Sequence, residues 1–448
     1  QLNVGCDRTT FSSAPHTFKL TIGSLLMELA GDADVSGRET FLIAVADGRI
    51  FSGNLSDGLT QRGTPGILNP AVKPAVAEAQ GKVYFTDGGE KVRVLTLDSG
   101  TVADLSATAG VTPTNIRYCS IWRDRLLLIP QEDRHNILAS RAGTHTDFDF
   151  NPAVPDAQMA WALNSSEAGR IGQPIRALVP FRDDVLLIGM DSSIHAIEGD
   201  PADGGSITVA TDAIGMYGWD CWTMDPQGTV WFVGTGGFYR MAPGGAPPQN
   251  ISQGRLDEVF TRISRSSAYV ELEWDRDAHG CWIFITSAAE AASFHVWYDA
   301  RTDSFWLHQF PIAHGPMSAL VYDGGEADDR ILLLGGRDGY IRKMDPTALS
   351  DDGTAIESFV FFGPINPGGR FEKFKITETE FVLATGSNIN VNYAFRGGDD
   401  AAAALTASPP AFSGTFTSGG RQPKVRSRAR MNTGVLGLHN NVPNKAWA

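Results

Sequence analysis

The sequence predicts an all-β protein: a β-propeller of about seven blades, six being the alternative count, followed by a small C-terminal β-sandwich domain. Three observations carry this. One strand-and-turn unit recurs seven times, its spacing is that of propeller blades, and amphipathic helices are nearly lacking.

The N-terminal segment, residues 1–36, is expected to be partly strand and to pack on the C-terminal domain, because Phe18, Leu20 and Ile22 alternate with polar or small residues. The propeller is expected over residues 37–362. Each unit runs from a short strand through a polar turn to a strongly apolar strand, then through a second turn to an alternating strand. The apolar strands are Phe41–Val45, Val83–Phe85, Leu126–Ile129, Val185–Ile188, Val230–Val233, Trp282–Ile285 and Ile331–Leu334. Asp47-Gly48, Asp87-Gly88-Gly89, Gly236-Gly237 and Asp338-Gly339 supply the second turns, where a tight hairpin needs positive φ. Taking Arg38, Gly81, Asp124, Asp183, Gly228, Gly280 and Asp329 as markers, the copies are spaced by 43, 43, 59, 45, 52 and 49 residues. Blades of four strands repeat at about 40 to 50 residues, whereas ankyrin or tetratricopeptide units are shorter and helical. Uninterrupted apolar runs suit strands covered on both faces by neighbouring blades.

The longer interval holds an insertion over about residues 151–172, rich in Ala, Asp and Pro and expected to project from one face. Helical spacing occurs at Leu256, Val259, Phe260 and Ile263. Residues 363–448 read as longer alternating strands, the sandwich or platform domain.

A net charge of −14 argues against a general nucleic-acid binder, which needs clustered Lys and Arg. It is compatible with a surface past which DNA slides without sticking. No apolar stretch of about 18 residues is present, so no membrane span is expected. Gln1 in place of Met and a stop at Ala448 are expected of a chain trimmed at one or both ends. Cys6, Cys119, Cys221 and Cys281 are far apart, without metal-site spacing, and read as free thiols.

No catalytic motif stands out, and neither an enzyme nor a cofactor is expected. His195, within Ser193–Ile197, reads as a sheet residue rather than a ligand. Asp147 and Asp149, Asp183 and Asp184, Asp328 and Asp329, and Asp351 and Asp352 could serve glycoside hydrolysis or calcium, but acids at hairpin turns cap backbone groups. Asp323–Asp329 is the calcium candidate, without EF-hand spacing. The tryptophans read as packing between blades more than as sugar platforms. One charge pattern is more pointed. Lys424, Arg426, Arg428 and Arg430 alternate, so a strand would present all four on one face. They are either a charged edge that resists aggregation or a subunit contact, with Glu378 and Glu380 of a neighbouring copy, or DNA phosphate, as partner.

The run RALVPFRDDVLLIGMDSSIHAIEGD at Arg176–Asp200 resembles the propeller tail proteins of short-tailed bacteriophages, the tube, nozzle or hub below the portal. Gly215–Gly218, VWFVGTGGFYRMAPGG at Val230–Gly245, Asn250–Ser252, and Arg134–Gly143 with Asp147-Phe148 continue in the same style. That resemblance spans Thr40 to Arg430. It implies a non-enzymatic ring, a homohexamer, which lines the channel for genome ejection. The implied partners are the adaptor and portal ring, tail fibres or spikes, and double-stranded DNA in passage. The implied place is the virion tail, after synthesis in the host cytoplasm. Two other readings stay open: a glycan-binding or glycan-cleaving propeller, to which Asn54–Thr60 offers only a superficial Asp box, and a monomeric protein-interaction propeller. A ring mass favours the first reading, and polysaccharide retention or cleavage the second.

Overall fold

A computed structural model describes residues 5–8, 25–30, 40–54, 58–165, 171–261, 263, 268–287, 293–323, 330–345, 347–348, 350–356, 358–367, 372–383, 390–416, 420–421, 424–426 and 429–440. The chain divides into two compact units. The larger holds Thr9–His308 and Ile312–Lys343; the smaller holds Gln1–Arg8, Gln309–Pro311 and Met344–Ala448.

In the larger unit the strands pair in sequence, as antiparallel hairpins, into seven successive sheets. Blade one runs Leu25–Ala30, Thr40–Ala46, Arg49–Asn54, Gly58–Arg62. Blade two is Ala75–Ala79 to Thr101–Asp104, blade four Ile175–Arg182 to Ser206–Thr211, and blade six Ala268–Asp275 to Ser304–His308. Blade three takes Ile116–Trp122, Arg125–Pro130, Leu138–Ala139 and Trp161–Ala162; blade five takes Trp222–Met224, Val230–Gly234, Gly237–Met241 and Gln249–Asn250. Pro316–Asp323, Arg330–Gly336 and Ile341–Asp345 pair in blade seven. Every apolar run is the second strand of its blade.

Alternation explains why those runs are apolar throughout. In blade one, Leu42, Ala44 and Ala46 face Tyr322, Leu333 and Ile341 of blade seven. Ile43 and Val45, between them, face Val83, Phe85 and Leu95 of blade two. In blade four, Leu186 and Ile188 join the cluster of blades two and three, while Val185 and Leu187 join that of blades five and six. A strand covered on both faces has no polar side. Blades six and seven are tied by polar bonds: the Thr286 hydroxyl donates to the Pro316 carbonyl, the Val321 amide donates to Glu273 at 2.9 Å, and Arg330 pairs with Asp277 at 2.9 Å. Each blade therefore packs on the next and the seventh on the first. The unit is a closed seven-bladed β-propeller.

Turn chemistry follows the expected pattern. Asp47 and Gly48 fill a two-residue hairpin with φ of 51° and 69°, and Gln80-Gly81 repeats it at 55° and 68°. Arg123-Asp124 holds the same left-handed geometry, at 51° each, without a glycine. The helical spacing near Arg255 yields one short helix, Asp257–Thr261.

The insertion departs from expectation, because it is built into the blade. It delivers Trp161-Ala162 as the fourth strand of blade three, and the wholly buried Arg125 holds its backbone. The Arg125 guanidinium donates to the carbonyls of Ser140, Ala157, Gln158 and Met159 at 2.8–3.1 Å and to Asp200 at 3.0 Å. Asn151–Gln158 is largely exposed, whereas Ala160–Leu163 is buried.

In the smaller unit, Ser358–Ile365, Thr433–Asn440, Val391–Gly398 and Phe412–Phe416 form one antiparallel sheet in that order. The second layer is a two-stranded ribbon rather than a full sheet: Phe381 and Val425 from the ribbon pack on Val391, Tyr393, Phe416 and Leu438. The division falls at Met344, earlier than the expected 362. Gly5–Arg8 groups with this smaller unit, whereas Leu25–Ala30 is the first strand of blade one. Phe18, Leu20 and Ile22 lie outside the described residues. No helix among the described residues is long and apolar enough to cross a membrane.

Candidate functional site

The cationic row lies on the ribbon. Phe374-Lys375 pairs with Arg430-Met431, Glu378-Thr379 with Val425-Arg426, and Val382-Leu383 with Gly420-Arg421. Glu378 thus sits directly across from Arg426. Lys424 Nζ is 2.5 Å from Glu378 and 3.8 Å from Glu380, Arg426 Nε is 3.9 Å from Glu378, and Arg421 bonds to Glu380. The acidic partners expected on a neighbouring copy are on the facing strand of the same hairpin. That corrects the expected pairing, since antiparallel folding satisfies these charges locally before any second chain is present. Three steps separate Lys375 from Glu378 but four separate Arg426 from Arg430, so the register shifts by one residue and Arg430 faces Lys375. An uninterrupted period-two row does not survive that shift. Arg428 lies outside the described residues. The pairs are solvated, the Arg426 side chain being 88% exposed, so each contributes little to stability.

A second constellation lies on the propeller axis. Lys73 precedes the first strand of blade two, Asp220 precedes that of blade five, and Glu271 stands in that of blade six. Lys73 Nζ is 3.1 Å from Asp220 and bonds to Glu271. Blades two and five are not neighbours in a ring of seven, so these groups can meet only at its centre. Burial works against the Lys73 ammonium, which is 8% exposed, but the carboxylates of Asp220 and Glu271 outweigh it and hold its pKa above the ordinary lysine value. Burial likewise pushes the Glu271 carboxyl up, with Lys73 pulling it down. Two acids face one ammonium, so the triad is a buried ion cluster that crosses the axis.

Beside it opens a cavity of about 300 Å³ lined by Lys73, Arg117, Tyr118, Arg176, Trp219, Asp220 and Tyr269. Tyr118 of blade three stacks on Trp219 at 4.5 Å and 5°, again across non-adjacent blades. The Arg117 guanidinium lies 4.5 Å from the centre of the Tyr118 ring and donates to the Lys73 carbonyl at 3.2 Å. Arg134 approaches the same ring at 5.8 Å, and Arg176 is paired with Asp191 at 2.8 Å.

Sequence reasoning passed over this site. Its one signal is the strand Ala268–Asp275, where Val270, Leu272 and Trp274 are buried and the alternate positions are the acids Glu271 and Glu273.

Several of the other acids serve as turn caps or local ion-pair partners. Asp147 accepts from the Asp149 amide at 3.0 Å and Asp149 from the Asn151 amide at 3.1 Å, Arg182 pairs with Asp184, and Asp352 occupies a turn at φ 49°. Residues 324–329 of the calcium candidate lie outside the described residues. His195 is half-buried in the third strand of blade four, and burial lowers its pKa. Cys119, Cys221 and Cys281 are buried free thiols. Trp231 of blade five stacks on Trp274 of blade six at 5.5 Å, which is packing between blades.

No family model matches the chain, and no curated protein does. Among solved structures it is similar to the computationally designed protein Ika8, at 12% identity over 76% of this chain and 100% of that one, with a TM-score of 0.42. A catalytically inactive virginiamycin B lyase from Staphylococcus aureus, with quinupristin, matches at 13% identity over 71% and 98%, TM-score 0.43. BamB from Moraxella catarrhalis matches at 10% over 71% and 96%, TM-score 0.39. Blade count and ring closure stand on this chain's own sheets and clusters.

Proposed function

We propose that the chain is a structural, ring-forming protein of a short-tailed bacteriophage tail, a nozzle or tube component through whose ring the genome passes below the portal and adaptor. The observation that carries the assembly is the strand Ser358–Ile365. It forms the edge of its sheet, pairing on one side with Thr433–Asn440, and its other side carries no strand among the described residues. Phe361, Phe362 and Ile365 are 48%, 49% and 39% exposed on it. Consecutive positions point to opposite faces, so both faces are apolar next to an open edge. The apolar run Phe359–Phe362, on an edge strand in water, is a template for pairing with another chain. A second copy supplying a strand or an apolar face covers it, and repetition of that contact closes a ring.

Further support comes from the resemblance at Arg176–Asp200 and from the charge of −14, which repels DNA phosphate and lets it slide. In this reading DNA passes through the hole between copies rather than along the axis of a single propeller, which the Lys73, Asp220 and Glu271 cluster crosses. The test is sedimentation of the full chain against a variant with Phe361→Lys and Phe362→Lys. Loss of a multi-copy species in the variant supports the reading; an equal, multi-copy mass in both removes this edge as the contact. A parent protein that stays monomeric at every concentration overturns it.

A further inference from the structure

We infer that the cavity on the propeller axis is a binding site for a small carboxylate-bearing sugar, a hexuronate unit, with Arg117 as its anion anchor. The pairing of the cations along the wall points there. Lys73 is answered by Asp220 and Glu271, and Arg176 by Asp191. Glu271 does not line the cavity. Arg117 donates to one carbonyl and stacks on Tyr118, with no carboxylate partner among the described residues. A guanidinium set over an aromatic ring has donors left over, and its fork matches a carboxylate.

The remaining lining fixes the body of the ligand. Tyr118 and Trp219, stacked on each other, and Tyr217 and Tyr269 give the cavity an aromatic lining with polar groups on it. That combination suits a ring apolar on its faces and hydroxylated round its rim. A volume of about 300 Å³ is at the small end for ligand pockets and admits one such unit rather than a chain buried along its length. Arg117 alone among the described cations of the wall has no carboxylate partner, and a single guanidinium answers a single negative charge, which favours a carboxylate over a phosphate dianion. The site lies inside a single propeller and does not depend on ring formation.

Calorimetric titration of the full chain with sodium glucuronate, and separately with glucose, tests this. Saturable glucuronate binding, about tenfold or more tighter than glucose, is expected, because a charge-assisted bond to Arg117 is worth at least that ratio. In Arg117→Gln the two sugars should converge. Trp219→Leu should weaken both, since it removes aromatic lining and not the charge. Absence of saturable glucuronate binding, equal binding of the two sugars by the parent protein, or an unchanged preference in Arg117→Gln overturns the inference. If Arg117→Gln does not fold, the comparison of the two sugars on the parent protein decides alone.

Discussion

Lys73 Nζ stands 3.1 Å from the Asp220 carboxylate and joins the approach to blade two with the approach to blade five, two blades that share no face. A pair of this kind fixes the opposite sides of the ring against each other. Lys73→Met leaves Asp220 and Glu271 facing each other without a cation and should cost about 3 kcal/mol, read as a lowered urea midpoint. Lys73→Met with Glu271→Leu should recover a good part of that, since removing both charges leaves less to desolvate. No recovery in the double variant would mean that packing, and not charge, is what Lys73 supplies.

Arg125 anchors the insertion. Arg125→Lys keeps the charge but offers three donors where the guanidinium serves four carbonyls and a carboxylate, so about 2 kcal/mol of destabilisation is expected. Limited proteolysis should show new cleavage within residues 151–160. Resistance equal to the parent protein would contradict this role.

The acid limb of stability should follow two histidines of blade six. Burial holds His295 down to about 3 and His308 down to about 4, each from 6.5. Depressed folded values mean that the unfolded chain binds these protons first. Their contribution is complete above pH 6.5 and is lost as pH falls toward 4 and then 3. Melting temperature should drop between pH 6.5 and 4.5, and His295→Gln with His308→Gln should flatten that slope. An unchanged slope would assign it to other groups.

Gly48 tests the hairpin chemistry. Its φ is 69°, and an added Cβ would come within 2.3 Å of the Leu68 carbonyl oxygen, whose residue donates its amide to the Gly48 carbonyl at 3.1 Å. Gly48→Ala should cost about 1–3 kcal/mol, and Gly81→Ala, with open space around its Cβ, distinctly less.

Much of the fold was legible because its information is local. Runs such as Leu126–Ile129, bounded by a two-residue turn, announce a strand covered on both faces before any neighbour is known. The boundary was misplaced because Phe359–Phe362 prolongs the apolar style of the blades, while strand order, which assigns it to another sheet, is not local. Arg125 drew no notice between a turn and an apolar run, since one residue's burial beneath an insertion leaves no periodic trace. The ribbon charges were legible as a row, but spacing does not reveal which strand faces them, and Glu378 proved to lie opposite Arg426 in the same hairpin. The axial triad was hidden most deeply. A lone Lys73, an acid before a strand and an acid within another become a site only after seven blades close and bring their approaches to one point.

Assembly is the centre of the proposal, and mass photometry of the full chain addresses it most directly. A multi-copy species, about six chains by the resemblance, that dissociates when Phe361 and Phe362 are both replaced by Lys is the predicted result. A single-chain mass at every concentration measured would contradict it.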